Sequence, residues 1–292
     1  MSIRRATRED LAAIAWLFGS VEEAVTGRSS QLDAAAVDGW MHTIAFETNT
    51  WLFEEEGTLV AGAFAQCFGR RGNGAGAVLP SAWGRGLGAQ LVDVMESRLR
   101  EEGAERFHCW TVAGDAAAAT LFESRGYREA RRFWEMAIEF DSDPPEPSVR
   151  VEPYAEEDAE AFHAALEESF ADHWEHEPES FGDWWARQRR RENYDPSLWF
   201  VIRDGEEIAG VARCEARPPA GWVGALGVRR PWRGRGYGRA LLQHSFHEFR
   251  RRGYTRAALG VDAANATGAI QLYESVGMHA QQEMVVREKV LA

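Results

Sequence analysis

The chain repeats itself, and a chain that repeats must fold as copies of one unit. Ile3–Asp10 (IRRATRED) is answered by VEPYAEED at 151–158. Trp51-Leu52-Phe53 and the following EEEGTLVAG match Trp199-Phe200-Val201 and IRDGEEIAG at an offset of 148. That register puts Gly57 with Gly205 at one hairpin turn and Gly62 with Gly210 in one strand. GRGLG at 84–88 then answers GRGYG at 234–238, and LFESRGY at 121–127 answers LYESVGM at 272–278. The offset drifts only from 148 to 151, and the matches keep their order. Between the copies, Pro144, Pro145 and Pro147 lie within Asp141–Ser148, where neither a helix nor a central strand survives. The expected organisation is a first domain at 1–140, a linker at 141–148 and a second domain at 149–292. At 292 residues the chain has room for two ordinary domains.

Each copy reads as α/β. In the second, a helix at Glu157–Phe170 precedes strands at Leu198–Arg203, Glu207–Glu215 and Trp222–Val228. A glycine-rich turn opens a helix from Gly236 to Arg252, with Leu242, Phe246 and Phe249 on one face. A strand at Ala257–Val261, a helix at Thr267–Val276 and a strand at Gln282–Lys289 complete the copy. Strands and helices do not strictly alternate, so the expected sheet is mixed and partly antiparallel.

Composition narrows the partners. The net charge of -13 disfavours nucleic acid and anionic membranes, and suits a cationic acceptor such as an amine. Cys67, Cys109 and Cys214 lie far apart, with neither metal-ligand spacing nor a disulfide framework, which fits a reducing cytoplasm and no metal. Leu11–Phe18 is too short and too charged at its flank for a membrane span or a cleaved leader.

The stretch Val228–Ala240 carries the strongest chemical signal. A strand ends, glycines permit positive φ, and a helix begins whose first N–H groups lack partners. Such a helix start holds phosphate. Arg229, Arg230, Arg233, Arg235 and Arg239 crowd the same segment of an acidic chain. A turn with solvated arginines is the plainer alternative. A dinucleotide fold is the sharper one, with Asp262 as a ribose ligand, but the glycines are spaced G-x-G-x-G and the loop follows a hairpin rather than the first strand.

Arg233-x-x-Gly236-x-Gly238 resembles the R/Q-x-x-G-x-G/A pyrophosphate loop of the GNAT acetyltransferases. Asn265-Ala-Thr-Gly-Ala-Ile-Gln-Leu-Tyr273-Glu-Ser-Val-Gly277-Met278 is similar to that family's N-x-x-A-x-x-L-Y-E-x-x-G-F signature. With the LGV strand at 226–228, the likeness covers the whole second copy, and the tandem arrangement is similar to the mycothiol synthase family. The resemblance implies two GNAT-like domains, acetyl-CoA as co-substrate and direct attack by the amine of a small molecule. It implies that Gly234, Arg235, Gly236, Tyr237, Gly238 and Arg239 join Arg233 in holding the pyrophosphate. Leu226, Gly227, Val228 and Asn265 would line the pantetheine arm, and Tyr273 would protonate the departing thiolate.

The general base stays open. Where mycothiol-synthase-like enzymes carry a glutamate before the loop, this chain has Trp222. The candidates are Glu215 on the neighbouring strand, or His173, Glu175 and His176. In the first copy Trp83 replaces the leading arginine and Phe122 the tyrosine, so that copy is expected to be structural or accessory. An acyl-CoA-binding sensor and a transferase of longer acyl groups are the alternative functions. The acceptor's identity and the oligomeric state are not written in the sequence.

Overall fold

The computed structural model describes residues 1–30, 32–41, 45–191, 194–217, 220–265 and 267–291. It comprises two compact units, Met1–Phe133 with Gln282–Ala292, and Trp134–Gln281. The first begins with β1 (Ser2–Arg5), α1 (Leu11–Thr26), α2 (Ala34–Met41) and α3 (Phe46–Asn49). There follow β2 (Thr50–Glu55), β3 (Thr58–Phe68), β4 (Arg71–Val78), α4 (Leu87–Glu101), β5 (Arg106–Val112), α5 (Ala116–Ser124) and β6 (Arg128–Glu139). The second copy runs through β7 (Glu152–Pro153), α6 (Ala159–Phe170), α7 (Phe181–Arg189), β8 (Trp199–Asp204), β9 (Glu207–Arg217) and β10 (Ala220–Val228). It ends with α8 (Tyr237–Arg251), β11 (Arg256–Asp262), α9 (Ala269–Glu274) and β12 (His279–Val290).

Strands order as β1-β2-β3-β4-β5-β12 in the first unit and as β6-β11-β10-β9-β8-β7 in the second. The β4–β5 and β10–β11 pairs are parallel, while the hairpins before them are antiparallel. This is the mixed α/β architecture expected from the sequence. Helices α4 and α8 sit hard against their sheets because glycine faces them. A Cβ on Gly221 would lie 2.2 Å from the Phe249 ring, and one on Gly72 would lie 2.5 Å from Leu99. Leu242, Phe246 and Phe249 are buried in the core of the second unit as their spacing predicts.

The copies superpose in a register that the sequence match misses by one residue. In the first hairpin Glu55 pairs with Thr58, and both Glu56 and Gly57 have positive φ, at 50° and 79°. In the second, Asp204 pairs with Glu207, and only Gly205, the first turn residue, has positive φ. Gly205 thus occupies the place of Glu56, an offset of 149. Two-residue hairpins use glycine at either central position, so matching glycine to glycine misplaces the strands. One further residue enters at Gly224, which bulges out between Val223 and Ala225 in the β9–β10 ladder. The β3–β4 ladder of the first copy runs without interruption.

The chain's last strand belongs to the first unit. From Met284↔Val112 to Val290↔Arg106, β12 lies antiparallel to β5. Glu288 accepts from Arg128 at 2.7 Å and lies 3.0 Å from His108 Nε2. Lys289 donates to the buried Glu96 at 2.8 Å, as does the Tyr127 hydroxyl at 2.9 Å. Leu291 packs into the core built by α4 and β5. The compact units divide at 133/134 and 281/282, inside β6 and β12. Both strands open on short alternating patterns that fit either sheet, so pattern alone does not say which sheet each completes. Leu291→Ala is expected to destabilise by about 2–3 kcal/mol. Hydrogen exchange should then quicken in residues 87–112, two hundred positions away in sequence. Equal loss across residues 199–262 would contradict the assignment.

Candidate active site

In the second unit, among the described residues, β10 and β11 pair only at Gly221↔Ala257 and Trp222↔Ala258. Beyond Trp222 the edge of β10 that faces β11 has no ladder partner among these residues, and Leu226, Gly227 and Val228 lie along that stretch. A pair of parting strands leaves main-chain groups that need a hydrogen-bonding ligand or water. Gly227 faces α6, where an added Cβ would lie 2.8 Å from the Ser169 side chain. The Ser169 hydroxyl is itself buried with no partner among the described residues.

After Val228 the chain turns through a short 3-10 segment, Arg230–Trp232, into the glycines. Gly234 and Gly236 take φ of 77° and 82°, in the left-handed region where any side chain is strained. Gly236 caps α8, so the N–H groups of its first turn point into the mouth between the strands' ends. Gly238 lets α9 close on α8, since a Cβ there would lie 2.8 Å from Leu272 Cδ2. Tyr237 begins α8 half-buried against the core.

The five arginines divide into two kinds. Arg229 and Arg230 are paired with Glu168 and Asp172 at the end of α6 and beyond it, at 2.6 and 2.7 Å. Arg235 reaches Asp204 at 3.3 Å, and Asp204 also accepts from the Trp232 indole at 2.7 Å. These three stiffen the loop. Among the described residues Arg233 donates only to carbonyls, to Val228 at 3.1 Å and Ser169 at 3.5 Å, and Arg239 only to the Ser275 carbonyl at 3.3 Å. A guanidinium held by carbonyls keeps its charge uncompensated, which suits it to an anion.

Tyr273, on α9, is 8% exposed, and burial lifts its phenol to about 12. Its hydroxyl makes no hydrogen bond within the described residues. Asn265 follows β11, and its side-chain oxygen accepts from the Thr267 amide at 2.8 Å and hydroxyl at 2.6 Å. That closes an Asx turn.

The base candidates fare differently. Glu215 is 3% exposed and grips three guanidinium groups: Arg213 at 2.5 Å, Arg191 at 2.9 Å and Arg217 at 3.1 Å. Burial raises its pKa, but those arginines outweigh that and hold it at about 2. A carboxylate so stabilised has lost the proton affinity that a base needs. His173 packs on Phe170 with ring centroids 4.3 Å apart, and burial keeps it below its usual pKa, neutral at pH 7. Its electrostatic neighbours include Asp262 at the end of β11 and Arg233 of the loop, which brings it to the mouth. His176 instead pairs with Glu167 at 3.2 Å, and Glu175 adopts a positive φ of 54° in the same loop. Trp222 lies beneath the Arg217 guanidinium at 4.5 Å. Trp184 and Trp185 stack in the aromatic core with Phe162, Phe181 and Trp199.

The first unit keeps the backbone of this loop with other side chains on it. Gly84 and Gly86 repeat the positive φ at 74° and 78°. Trp83 donates to the Val78 carbonyl at 2.6 Å, the very bond that Arg233 makes to Val228, but it brings no charge. Arg85 pairs with Glu55 as Arg235 does with Asp204. Phe122 is buried edge-on against Tyr127, their centroids 4.9 Å apart, and has no hydroxyl.

Comparison with known proteins follows these lines. The model of the Acetyltransferase (GNAT) family matches twice, over residues 16–127 and 143–278. The chain belongs to that family, and is an N-acetyltransferase by class with two GNAT copies in tandem. It is 30% identical to a mycothiol acetyltransferase of Thermobifida fusca, over 81% of this chain and 80% of the relative. A mycothiol acetyltransferase of Thermobispora bispora is 32% identical over 68% of this chain and 70% of its own. Among solved structures, a GCN5-related N-acetyltransferase from Sphaerobacter thermophilus aligns with a TM-score of 0.88 at 31% identity, covering 99% of this chain and 95% of that one. A tandem GNAT protein from the clavulanic acid biosynthesis pathway shares the fold, with a TM-score of 0.74 at 15% identity over 100% and 98% of the two chains. No helix among the described residues is long and apolar enough to cross a membrane.

Glu215 also sets an acid limit. Its pKa in the fold, about 2, lies below the ordinary 4.5, so the stability it lends is complete above about pH 4.5 and drains away as pH falls towards 2. Glu215→Gln is expected to lower the second unit's stability by about 3 kcal/mol at pH 7 and to flatten its loss on acidification. A pH-stability curve unchanged by the substitution would refute the depressed pKa.

Proposed function

We propose that the second copy transfers the acetyl group of acetyl-CoA to a primary amine of a small molecule by direct attack, without an acyl-enzyme. The observation that carries this is the convergence of three features at one mouth. They are the α8 amides released by Gly234 and Gly236, the unpaired edge of β10, and the phenol of Tyr273. The relatives named for mycothiol acetylation support a small-molecule acceptor.

Acetyl-CoA supplies an activated acyl group on a thiol leaving group. The residues present fit it, because the loop offers N–H groups and two guanidiniums without carboxylate partners among the described residues. Arg233, Arg239 and the amides from Gly234 to Arg239 would hold the pyrophosphate. The free edge at Leu226–Val228 would bind the arm, with the Asn265 amide on its far side, and a β10 N–H would stabilise charge on the carbonyl oxygen.

Tyr273 acts as a hydrogen-bond donor to the sulfur. Giving up its proton outright, from about 12 to a thiolate near 8.5, would cost about 5 kcal/mol. As a neutral donor it stabilises the departing thiolate without that cost. The amine needs more help, since an ammonium near 10.4 is neutral in about one molecule in 2,500 at pH 7, or about 4.6 kcal/mol. His173, neutral and at the mouth, is the group we assign to take that proton, directly or through water.

Tyr273→Phe is expected to lower kcat about 10–100-fold while leaving acetyl-CoA affinity within about two-fold. Arg233→Ala should weaken that affinity about ten-fold, and Phe122→Tyr should change neither. Thiol release from acetyl-CoA with a panel of amines measures all three. Turnover that survives Tyr273→Phe but is lost on changing Phe122 would place the reaction in the wrong copy. Tight binding of acetyl-CoA with no thiol released to any amine would mark a sensor.

A further inference from the structure

One buried hydroxyl beside the glycine loop has no use in the fold. Ser169 stands in the last turn of α6, which ends at Phe170, and it is 6% exposed. Its hydroxyl has no hydrogen-bonding partner among the described residues. A helical serine can satisfy itself by donating to the carbonyl one turn back, and this one does not. A buried hydroxyl left unpaired costs stability, so its place here calls for a physical reason.

Its contacts place it on the free stretch of β10. A Cβ on Gly227 would lie 2.8 Å from both Cβ and Oγ of Ser169, so glycine is what lets the serine come down onto the strand. The same turn of α6 is fastened to the start of the glycine loop. The Ser169 carbonyl accepts from Arg233 at 3.5 Å, and Glu168 accepts from the Arg230 amide at 3.1 Å and from Arg229 at 2.6 Å. The hydroxyl thus lies over Gly227, between Leu226 and Val228, where β10 has no ladder partner towards β11 among the described residues.

The first copy supplies the contrast. Asp10 and Asp158 precede α1 and α6 with the same backbone angles, φ -86° and ψ -4°. Val21 stands as far beyond Asp10 as Ser169 stands beyond Asp158. Ala77 and Gly227 each precede the valine whose carbonyl is engaged, by Trp83 in one copy and by Arg233 in the other. Val21 packs in one apolar cluster with Ala77, Leu17 and Leu79. The copy that lacks the loop arginine and the tyrosine fills this place with methyl groups. The hydroxyl, and the glycine that admits it, occur in the copy that keeps both.

We propose that the Ser169 hydroxyl binds the pantetheine arm of the acyl donor where it passes Gly227, by a hydrogen bond to one of the arm's amides. This rests on the reading of the second copy as the one that takes acetyl-CoA. A hydroxyl both donates and accepts, so it serves either the carbonyl or the N–H of that amide. It adds a side-chain contact from α6 to the main-chain contacts of the strand edge.

The test sets two ligands against one measure of stability. Coenzyme A carries the arm, whereas adenosine 3′,5′-bisphosphate keeps the nucleotide end and lacks it. By titration calorimetry, Ser169→Ala is expected to weaken coenzyme A about five- to ten-fold and to leave the bisphosphate within about two-fold. Because it deletes an unpaired buried hydroxyl, it should also raise the thermal midpoint of the ligand-free protein by about 2 °C. Removing a serine that only braced the fold would lower that midpoint. Ser169→Thr keeps the hydroxyl and Ser169→Val, of the same shape, removes it. The threonine variant should therefore bind coenzyme A about five-fold more tightly than the valine one. Coenzyme A bound as tightly by Ser169→Ala as by the parent would overturn the inference. So would a loss shared equally by the bisphosphate, or a lower midpoint without ligand. A parent protein that binds no coenzyme A overturns the acetyl-CoA reading, and the serine's part with it. Parent and Ser169→Ala binding and turning over alike would remove the serine's part alone.

Discussion

The main-chain amides at the start of α8 are the constraint on which the site depends. They point into the mouth only because Gly234 and Gly236 hold φ near 80°, and they are accessible only because β10 and β11 part after two residue pairs. Either feature alone is commonplace. Together they set unsatisfied donors beside an unpaired strand edge, a surface complementary to an extended ligand with an anionic end. The side chains then act on a position that the backbone has already fixed. Arg233 and Arg239 add charge beside those amides, and Tyr273 lies on α9, which packs against the first turn of α8 through Leu272 and Gly238.

The two copies serve as a controlled comparison within one chain. The positive-φ glycines, the carboxylate partner of the loop arginine, the close approach of Gly88 to Leu121 and of Gly238 to Leu272 all recur. These belong to the fold. What the second copy alone has is Arg233 where Trp83 stands, Tyr273 where Phe122 stands, the bulge at Gly224 and the arginines around Glu215. Trp83 makes the point most sharply, because it preserves the hydrogen bond to the strand's last carbonyl and drops the charge. Structural selection and chemical selection are separable at that one position.

How much of this is legible in the sequence follows from distance along the chain. The loop and the α9 motif are each contiguous, and their chemistry lies in glycine, arginine and tyrosine at fixed spacing, which a sequence shows directly. The Arg191–Arg213–Arg217 group is spread over more than twenty residues and acquires meaning only when β9 and the end of α7 meet. For that reason Glu215, an ordinary strand glutamate by sequence, reads as a base until its three partners are seen. The placement of β12 was equally hidden, since β6 and β12 are copies of one strand and share its alternating pattern. The one-residue slip at the hairpin has a local cause: glycine moved from the second turn position to the first.

The placement of β12 bears on the order in which the molecule can be made. A ribosome completes residues 1–133 long before it reaches residue 282, yet the edge of β5 is covered only by that last strand. The N-terminal copy is thus obliged to wait, with an open strand edge, through the synthesis of the entire C-terminal copy. Its folding nucleus must tolerate that interval, and its final step is a contact of very high sequence separation, the slow kind. A gene rearrangement that moved either copy elsewhere would take from the first the strand that pairs with β5.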